Sequence, residues 1–298
     1  MDRRCPWLIE HTVEEMLSQR IYALAQGYED LNDHDQLRHD PLLAVLSGKR
    51  KPEGTVLASK STLNRLELST QEADAYKKVS YQQGQIDELL VQLLVESQAS
   101  APEEIILDLD VTDLPLHGHQ EGRFFHGYYD SYCYLPLYVF CGQHLLCSRL
   151  RTADQDASAG AKEEIERIVK QLRQAWPQVR MILRADSGFC REELMSWCEA
   201  NGVEYVFGLA RNSRLRGLIE WQMAEVKRLH QERKEAVRVF GEFLPYQTRD
   251  SWSGTRRVVA KAEYLEQGEN PRFVVTSLKE QDWAAAPAGR WRTGSKSS

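Results

Sequence analysis

Two aspartates, Asp110 and Asp186, have the residue type and the setting for chemistry. Each closes an apolar run, Glu104-Ile105-Ile106-Leu107-Asp108-Leu109-Asp110 and Val179-Arg180-Met181-Ile182-Leu183-Arg184-Ala185-Asp186, and each precedes a polar turn. Such runs predict buried strands, so each carboxylate emerges where a strand meets solvent. Carboxylates so placed can share hard cations. Two Mg2+ ions about 3.5 to 4 Å apart stabilise the attacking and leaving oxygens of an in-line phosphoryl displacement. The same spacing also fits turn caps, because Asp186-Ser187-Gly188-Phe189 ahead of a helical pattern is good capping chemistry in its own right. Asp108 and Asp113 compete with Asp110 as ligands. Strand alternation puts Asp108 and Asp110 on one face, Asp113 belongs to the following turn, and Asp110 stands at the strand's mouth.

Other groupings carry less. Leu116-His117-Gly118-His119-Gln120-Glu121-Gly122 holds two histidines and an acid without the partner spacing of a transition-metal site, and reads as a polar turn that can contact DNA. Gly27-Tyr28-Glu29-Asp30-Leu31-Asn32-Asp33-His34-Asp35 gathers acids but lacks the Gly and terminal Glu of a calcium loop, so turn chemistry is the expectation. The six cysteines lie on apolar stretches with no CxxC pair, which predicts reduced, mostly buried thiols rather than zinc or a disulfide framework. A formal charge of −6 runs against a dedicated DNA binder. The charge is uneven, however: from Arg211 to Phe240 there are eight basic residues against four acidic ones. Arg211, Arg214, Arg216, Lys227 and Arg228 are its candidate DNA contacts. A solvated helix face laced with opposite charges accounts for the segment equally well.

The elements that must position the two aspartates follow from periodicity. Thr12 to Ala25 predicts a helix with Val13, Met16, Leu17, Ile21 and Leu24 on its apolar face and a capping box at Thr12 and Glu15. Ser59 to Leu66 has a helix start, and Asp87 to Ser97 a helix with Leu89, Leu90, Leu93 and Leu94 as its face. The stretch Ser97-Gln98-Ala99-Ser100-Ala101-Pro102 breaks that pattern and marks a boundary. Beyond it come a strand ending at Asp110, strands Tyr132 to Phe140 and Leu145 to Leu150 joined by a hairpin at Gly142, a helix from Ala161 to Trp176, the strand ending at Asp186, a helix from Arg191 to Asn201, and a strand from Glu204 to Leu209. That order is RNase H-like, and it also fits other mixed α/β folds. No apolar run approaches the roughly 20 residues of a membrane span, so no membrane partner and a cytoplasmic location are expected.

Several strings together resemble the DDE group 1 insertion-sequence transposases: Gly27-Tyr28-Glu29-Asp30 with Asn32-Asp33, Ser61-Thr62-Leu63-Asn64-Arg65-Leu66-Glu67, Leu107-Asp108-Leu109-Asp110-Val111-Thr112-Asp113, and Arg184-Ala185-Asp186-Ser187-Gly188-Phe189 running on to Tyr205-Val206-Phe207-Gly208-Leu209-Ala210-Arg211-Asn212. They reach to about Trp283. The resemblance implies an α/β fold, an RNase H-like mixed sheet flanked by helices, with a β-rich insertion and an N-terminal helical region. The expected domains are a helical DNA-binding or dimerisation region over 1–100, a catalytic core over 101–215, a linker helix and insertion over 216–283, and an aberrant tail over 284–298. It implies that Asp110 and Asp186 are the first two catalytic, metal-binding acids, with Mg2+ (or Mn2+) as cofactor. Its implied partners are terminal inverted repeats and target DNA, and a second copy of the chain when full length, at the bacterial nucleoid. Strands Val237 to Phe240, Arg257 to Ala262 and Arg272 to Thr276 suit the insertion.

The family's third acid, a Glu on a Tyr-x-x-Arg-x-x-x-Glu helix, is missing. The sequence runs instead through Ala286-Pro287-Ala288-Gly289-Arg290-Trp291-Arg292-Thr293-Gly294-Ser295-Lys296-Ser297-Ser298, without apolar period. Reverse-translated and read from each codon's third base, Arg290 to Ser298 admits the run Met-Glu-Asn-Arg-Ile-Lys-Glu-Gln, which the family places around that acid. A frameshift after about Trp283 is therefore expected, leaving this copy of the transposase inactive for lack of the third Glu; the alternatives are an active Mg2+ nuclease with a surrogate Glu and a DNA-binding remnant without catalysis that inhibits full-length transposase. Glu220, Glu225 and Glu263 do not match the family's pattern. Family members carry more sequence before Gly27, so Met1 is expected to be an internal start.

Overall fold

Thr12 and Glu15 do form the reciprocal cap read from the sequence. In the computed structural model the Thr12 hydroxyl accepts from Glu15 N at 3.1 Å and the Glu15 carboxylate from Thr12 N at 3.0 Å, opening helix α1 (Val13–Ala25). The structure describes residues 2–49, 56–73, 78–248 and 251–279. These fall into two units, Met1–Ile86 and Asp87–Ser298. The expected tail over 284–298 lies outside the described residues.

In the first unit α1 buries Met16, Gln19 and Ala23, while Leu17, Ile21 and Leu24 are exposed, which corrects the expected apolar face. A buried amide sets this rotation. Gln19 donates to Ala58 O at 3.0 Å, accepts from Ala58 N at 3.1 Å and meets His34 Nδ1 at 3.0 Å, so its polar atoms are satisfied in the interior. Met16 packs beside it on Ala58 and Leu63. Helices α2 (His34–Leu37), α3 (Pro41–Leu46) and α4 (Lys60–Glu67) complete the unit. The acid-rich stretch is turn chemistry, with Asp30 accepting from Asn32 N at 2.8 Å.

Helix α5 (Gln83–Ser97) starts four residues earlier than its apolar pattern suggests. Its buried positions are Asp87, Val91 and Leu94, with Leu89 and Leu93 exposed, a second correction of an expected face. Asp87 is buried because Arg149 reaches it at 2.5 Å. Val91 and Leu94 join the core of the second unit, so the division between units falls ahead of the 97–102 break.

The second unit runs β1 (Glu104–Val111), β2 (Leu114–Pro115), β3 (Phe124–His126), β4 (Ser131–Tyr134), β5 (Leu137–Cys141), β6 (His144–Arg149), α6 (Ala161–Ala175), β7 (Arg180–Ala185), α7 (Glu192–Ala200), β8 (Glu204–Leu209), α8 (Ser213–Leu218), α9 (Glu220–Arg233), β9 (Val237–Tyr246), β10 (Arg256–Leu265), β11 (Gly268–Glu269) and β12 (Arg272–Thr276). The single strand expected over Tyr132 to Phe140 is two strands in two sheets. Pro136 has no N–H to give a ladder and breaks the run. The hairpin between β5 and β6 turns at Gly142, whose φ of +59° glycine adopts without steric cost.

Among the described residues, nine strands form one mixed sheet in the order β11-β10-β12-β8-β7-β1-β5-β6, with β9 also on β10. Strands β7 and β8 run parallel to β1, and β5 and β6 form the antiparallel hairpin beside it. The core is an RNase H-like mixed sheet flanked by helices. Strands β9 to β12, expected as an insertion, continue that sheet, because β12 pairs with β8 from Phe273↔Leu209 to Thr276↔Val206. One sheet face, with Leu107, Leu109, Leu183, Tyr205 and Phe207, packs on Ile165, Ile168 and Leu172 of α6. Each such buried side chain contributes about 1.5–3 kcal/mol. None of the described helices is long and apolar enough to cross a membrane.

Candidate active site

Strands β1 and β7 pair in parallel from Glu104↔Arg180 to Leu109↔Ala185. Continuing that register by one residue sets Asp110 beside Asp186, on neighbouring strand ends about 4.8 Å apart in the hydrogen-bonding direction. By alternation the even-numbered residues of three strands share one face: Ile106, Asp108 and Asp110 on β1, Ile182 and Arg184 on β7 leading to Asp186, and Val206 and Gly208 on β8. The deep part of this face is apolar, with Ile106, Ile182 and Val206 clustered with Val259 and Val274. Its mouth is acidic.

The Asp110 carboxylate accepts from Val111 N at 2.9 Å and is exposed. Asp186 caps the 3-10 turn Ser187–Phe189, with Oδ1 accepting from Gly188 N at 2.8 Å. The cap read as an alternative to chemistry is thus present, and it occupies one oxygen only. Among the described residues Asp186 Oδ2 accepts no hydrogen bond. Asp108 is occupied otherwise: Arg184 holds it by two nitrogens, Nη2 at 2.7 Å from Oδ2 and Nε on Oδ1. This pair stands two residues behind Asp110 and Asp186 on the same face. Replacing Arg184 with Met leaves a part-buried carboxylate unpaired beside two others. A stability loss of about 1–2 kcal/mol in urea denaturation is expected, and an unchanged midpoint would contradict the pairing.

Tyr129 is a neighbour of the pair that the sequence did not single out. The turn between β3 and β4 folds it back against Cys133, Leu135 and Ala153, where Val111 also packs. Burial raises its phenol above the ordinary range, and the charges of Asp113, Asp110 and Asp186 add to the rise. The hydroxyl is therefore a protonated donor at neutral pH. No spacing rule marks this residue, since a turn rather than a strand end delivers it.

The histidine loop is a set of turns. Gly118 and Gly122 have positive φ, Arg123 Nη2 meets His119 Nδ1 at 3.0 Å, and Arg123 Nη1 donates to Gly118 O. No group of three or more metal-ligating side chains occurs among the described residues. Glu263 is buried on β10, tied to Lys261 at 2.7 Å and Asn270 at 2.8 Å. Glu225 pairs with Arg228 at 2.8 Å within α9, and Glu220 lies in a groove with Arg216, Lys227 and Glu269.

The basic candidates separate into kinds. Arg228 is held by Glu225 and by Glu232 at 2.5 Å, the laced helix face that the sequence allowed. Arg216 pairs with Glu269 at 3.4 Å, and Arg214 stacks 4.9 Å over Tyr246 and donates to Gln247 O at 2.9 Å. Arg211, Lys227 and Arg214 have no ion pair among the described residues, and all three are exposed.

Two hard carboxylates at one sheet mouth match the donors that Mg2+ or Mn2+ takes, one or two carboxylates completed by water and phosphate oxygens. The arrangement can hold a cation against a phosphodiester, with Tyr129 as a hydrogen-bond donor nearby.

No curated protein matches the sequence. Among solved structures, the chain is similar to the piggyBac transposase in its synaptic complex with hairpin DNA, at 15% identity over 97% of this chain and 57% of that chain, with a TM-score of 0.43. It is also similar to the Mos1 transposase in a paired-end complex with the left transposon end (9% identity, 69% of this chain and 61% of that, TM-score 0.24) and in a pre-cleavage transpososome (8% identity, 69% and 61%, TM-score 0.24). The chain spans less than two thirds of each of these transposase chains. The family model for the transposase DDE domain group 1 matches residues 1–287, and the chain belongs to that family.

Proposed function

We propose that this chain derives from the transposase of a bacterial insertion sequence, an enzyme that cleaves DNA at terminal inverted repeats and transfers the freed 3′ end to target DNA. The observation that carries the reading is the in-register acid pair, Asp110 and Asp186, at the mouth of an RNase H-like sheet in a chain of this family. The carboxylates of Asp110 and Asp186 would hold the cation. Arg184 keeps Asp108 neutralised, so that no further anion on that face opposes the phosphate. The Tyr129 hydroxyl donates toward a phosphate oxygen. When bound, Mg2+ (or Mn2+) supplies Lewis-acid stabilisation of the charge on the transferring phosphoryl group. Arg211, Arg214 and Lys227 track the DNA backbone, with Arg216 and Arg228 contributing only by exchanging their acid partners. The enzyme works on DNA in the cytoplasm, at the nucleoid, as an oligomer when full length.

We further propose that the reading frame is shifted past about Trp283, so that the family's third-acid helix is replaced and the product is a defective catalyst that retains DNA binding. A Mg2+-dependent nicking assay on the terminal-repeat DNA flanking its coding sequence tests this. Binding with no cleavage is expected. Cleavage that Asp110→Ala abolishes would keep the acid pair and overturn the defect. Neither binding nor cleavage would sink the whole reading. The coding DNA past codon 283 must also encode the family's Glu run in a shifted frame, or the frameshift explanation is wrong.

A further inference from the structure

The segment between Asp110 and β5 builds a small sheet of its own, in the order β2-β4-β3. Its registers place Phe125 opposite Tyr132 and Leu114 opposite Tyr134, so alternation puts Arg123, Phe125, Tyr132 and Tyr134 on one face. The opposite face carries Cys133, which packs with Leu135, Ala153 and Tyr129. The aromatic face is open: Phe125 is 54% and Tyr132 47% exposed. The two rings are edge-to-face with centroids 5.6 Å apart, and the Arg123 guanidinium lies 4.8 Å above the Tyr132 ring. Gly118 O and His119 hold that guanidinium in place. No carboxylate pairs with it among the described residues, so its charge is uncompensated.

We propose that this face is a stacking platform for unpaired nucleobases beside the cleavage site. The inference rests on the DNA reading given above. Exposed rings are a cost to a chain in water unless a ligand covers them, and every base offers a π-face of matching size. A fixed cation next to the rings complements the phosphate that each base brings with it. The position fits as well. The sheet begins four residues past Asp110, and Tyr129, in the turn that joins β3 to β4, packs in one cluster with Val111, the residue after Asp110.

Fluorescence anisotropy on the full chain tests this, with a labelled oligo-dT strand of about 20 nucleotides and a blunt mixed-sequence duplex of the same length. Phe125→Leu and Tyr132→Leu keep apolar bulk at exposed positions, and melting curves report whether the fold is kept. Each is expected to weaken oligo-dT binding about tenfold and to leave duplex binding within about twofold. Unchanged oligo-dT binding in both variants, or equal losses on both probes, overturns the platform while leaving the DNA reading standing. A wild-type chain that binds duplex but not oligo-dT does the same. Binding of neither probe by the wild type removes both ideas together. If the variants alter sedimentation and not oligo-dT binding, the face is a protein contact and the platform is wrong.

Discussion

Replacing Arg256 with Met is expected to destabilise the protein by about 2–3 kcal/mol, because it leaves two part-exposed carboxylates without their buried partner. Arg256 opens β10 with its side chain 5% exposed. Its Nη1 lies 2.7 Å from Glu192 and its Nε 2.7 Å from Glu199, both on α7, and its guanidinium lies 5.6 Å from the Trp252 ring centroid. Tyr205 donates to Glu199 at 2.7 Å from β8. One cation thus ties β10 to α7 and, through Glu199, to β8, and its loss leaves two acids without it at once. The Met side chain restores the apolar stem but none of the hydrogen bonds.

The pH dependence has a definite sign. The Arg256 hydrogen bond draws Glu192 down to about 2 from its ordinary value of 4.5. Glu199 is pushed up by burial, but the bonds from Arg256 and Tyr205 outweigh that and leave it lowered. A carboxylate with a depressed folded value contributes stability above its unfolded value and loses it as pH falls through the folded one. The gap between wild type and Arg256→Met is therefore expected to be full at pH 7 and to shrink between about pH 4.5 and pH 2. Urea denaturation at a series of pH values measures it. A gap that stays constant down to the acid limit would show that packing, not the ion pairs, holds α7 to β10.

The sequence made the frame of the sheet legible because each core strand ends on a change of residue type. Asp110 and Asp186 could be read as strand ends, but the parallel register that puts them side by side is set by the sheet and not by the length of either run. The tie between Asp108 and Arg184 was not legible, since nothing along the chain says that two strands 76 positions apart pair cation to anion. Helix faces failed for a similar reason. An apolar count turns α1 toward Leu17, Ile21 and Leu24, but Gln19 finds three polar partners from two other segments and rotates the helix inward on its own side. The break at Pro136 is visible in the residue itself, but the strong strand character of the aromatic run around it masks that signal. Tyr129 and the Arg123 face depend on where turns fold back, and short-range pattern carries no such information.

Gly208 is expected to be the position where one methyl group does most harm to the acid pair. It stands on β8 next to the end of β7, and the chain leaving Asp186 crosses directly over it. A Cβ there would lie 2.8 Å from Ser187 N, 3.1 Å from the Asp186 carbonyl carbon and 3.4 Å from Asp186 Cα. These are backbone atoms, so no side-chain rotation relieves the contact. The turn must lift, and Asp186 must move with it relative to Asp110. Gly208→Ala is expected to cost about 1–3 kcal/mol of stability, as overpacking does elsewhere, and to weaken Mn2+ binding at the carboxylate pair by at least about tenfold. Gly217→Ala is the matched control: nothing lies within 4 Å of its added Cβ, and alanine favours the helix it sits in. Titration of Mn2+ by electron paramagnetic resonance on the two variants, at a temperature where both are folded, separates displacement from unfolding. Wild-type Mn2+ affinity in Gly208→Ala would mean that the Asp186 turn yields without moving its carboxylate, and that the close crossing serves the sheet alone.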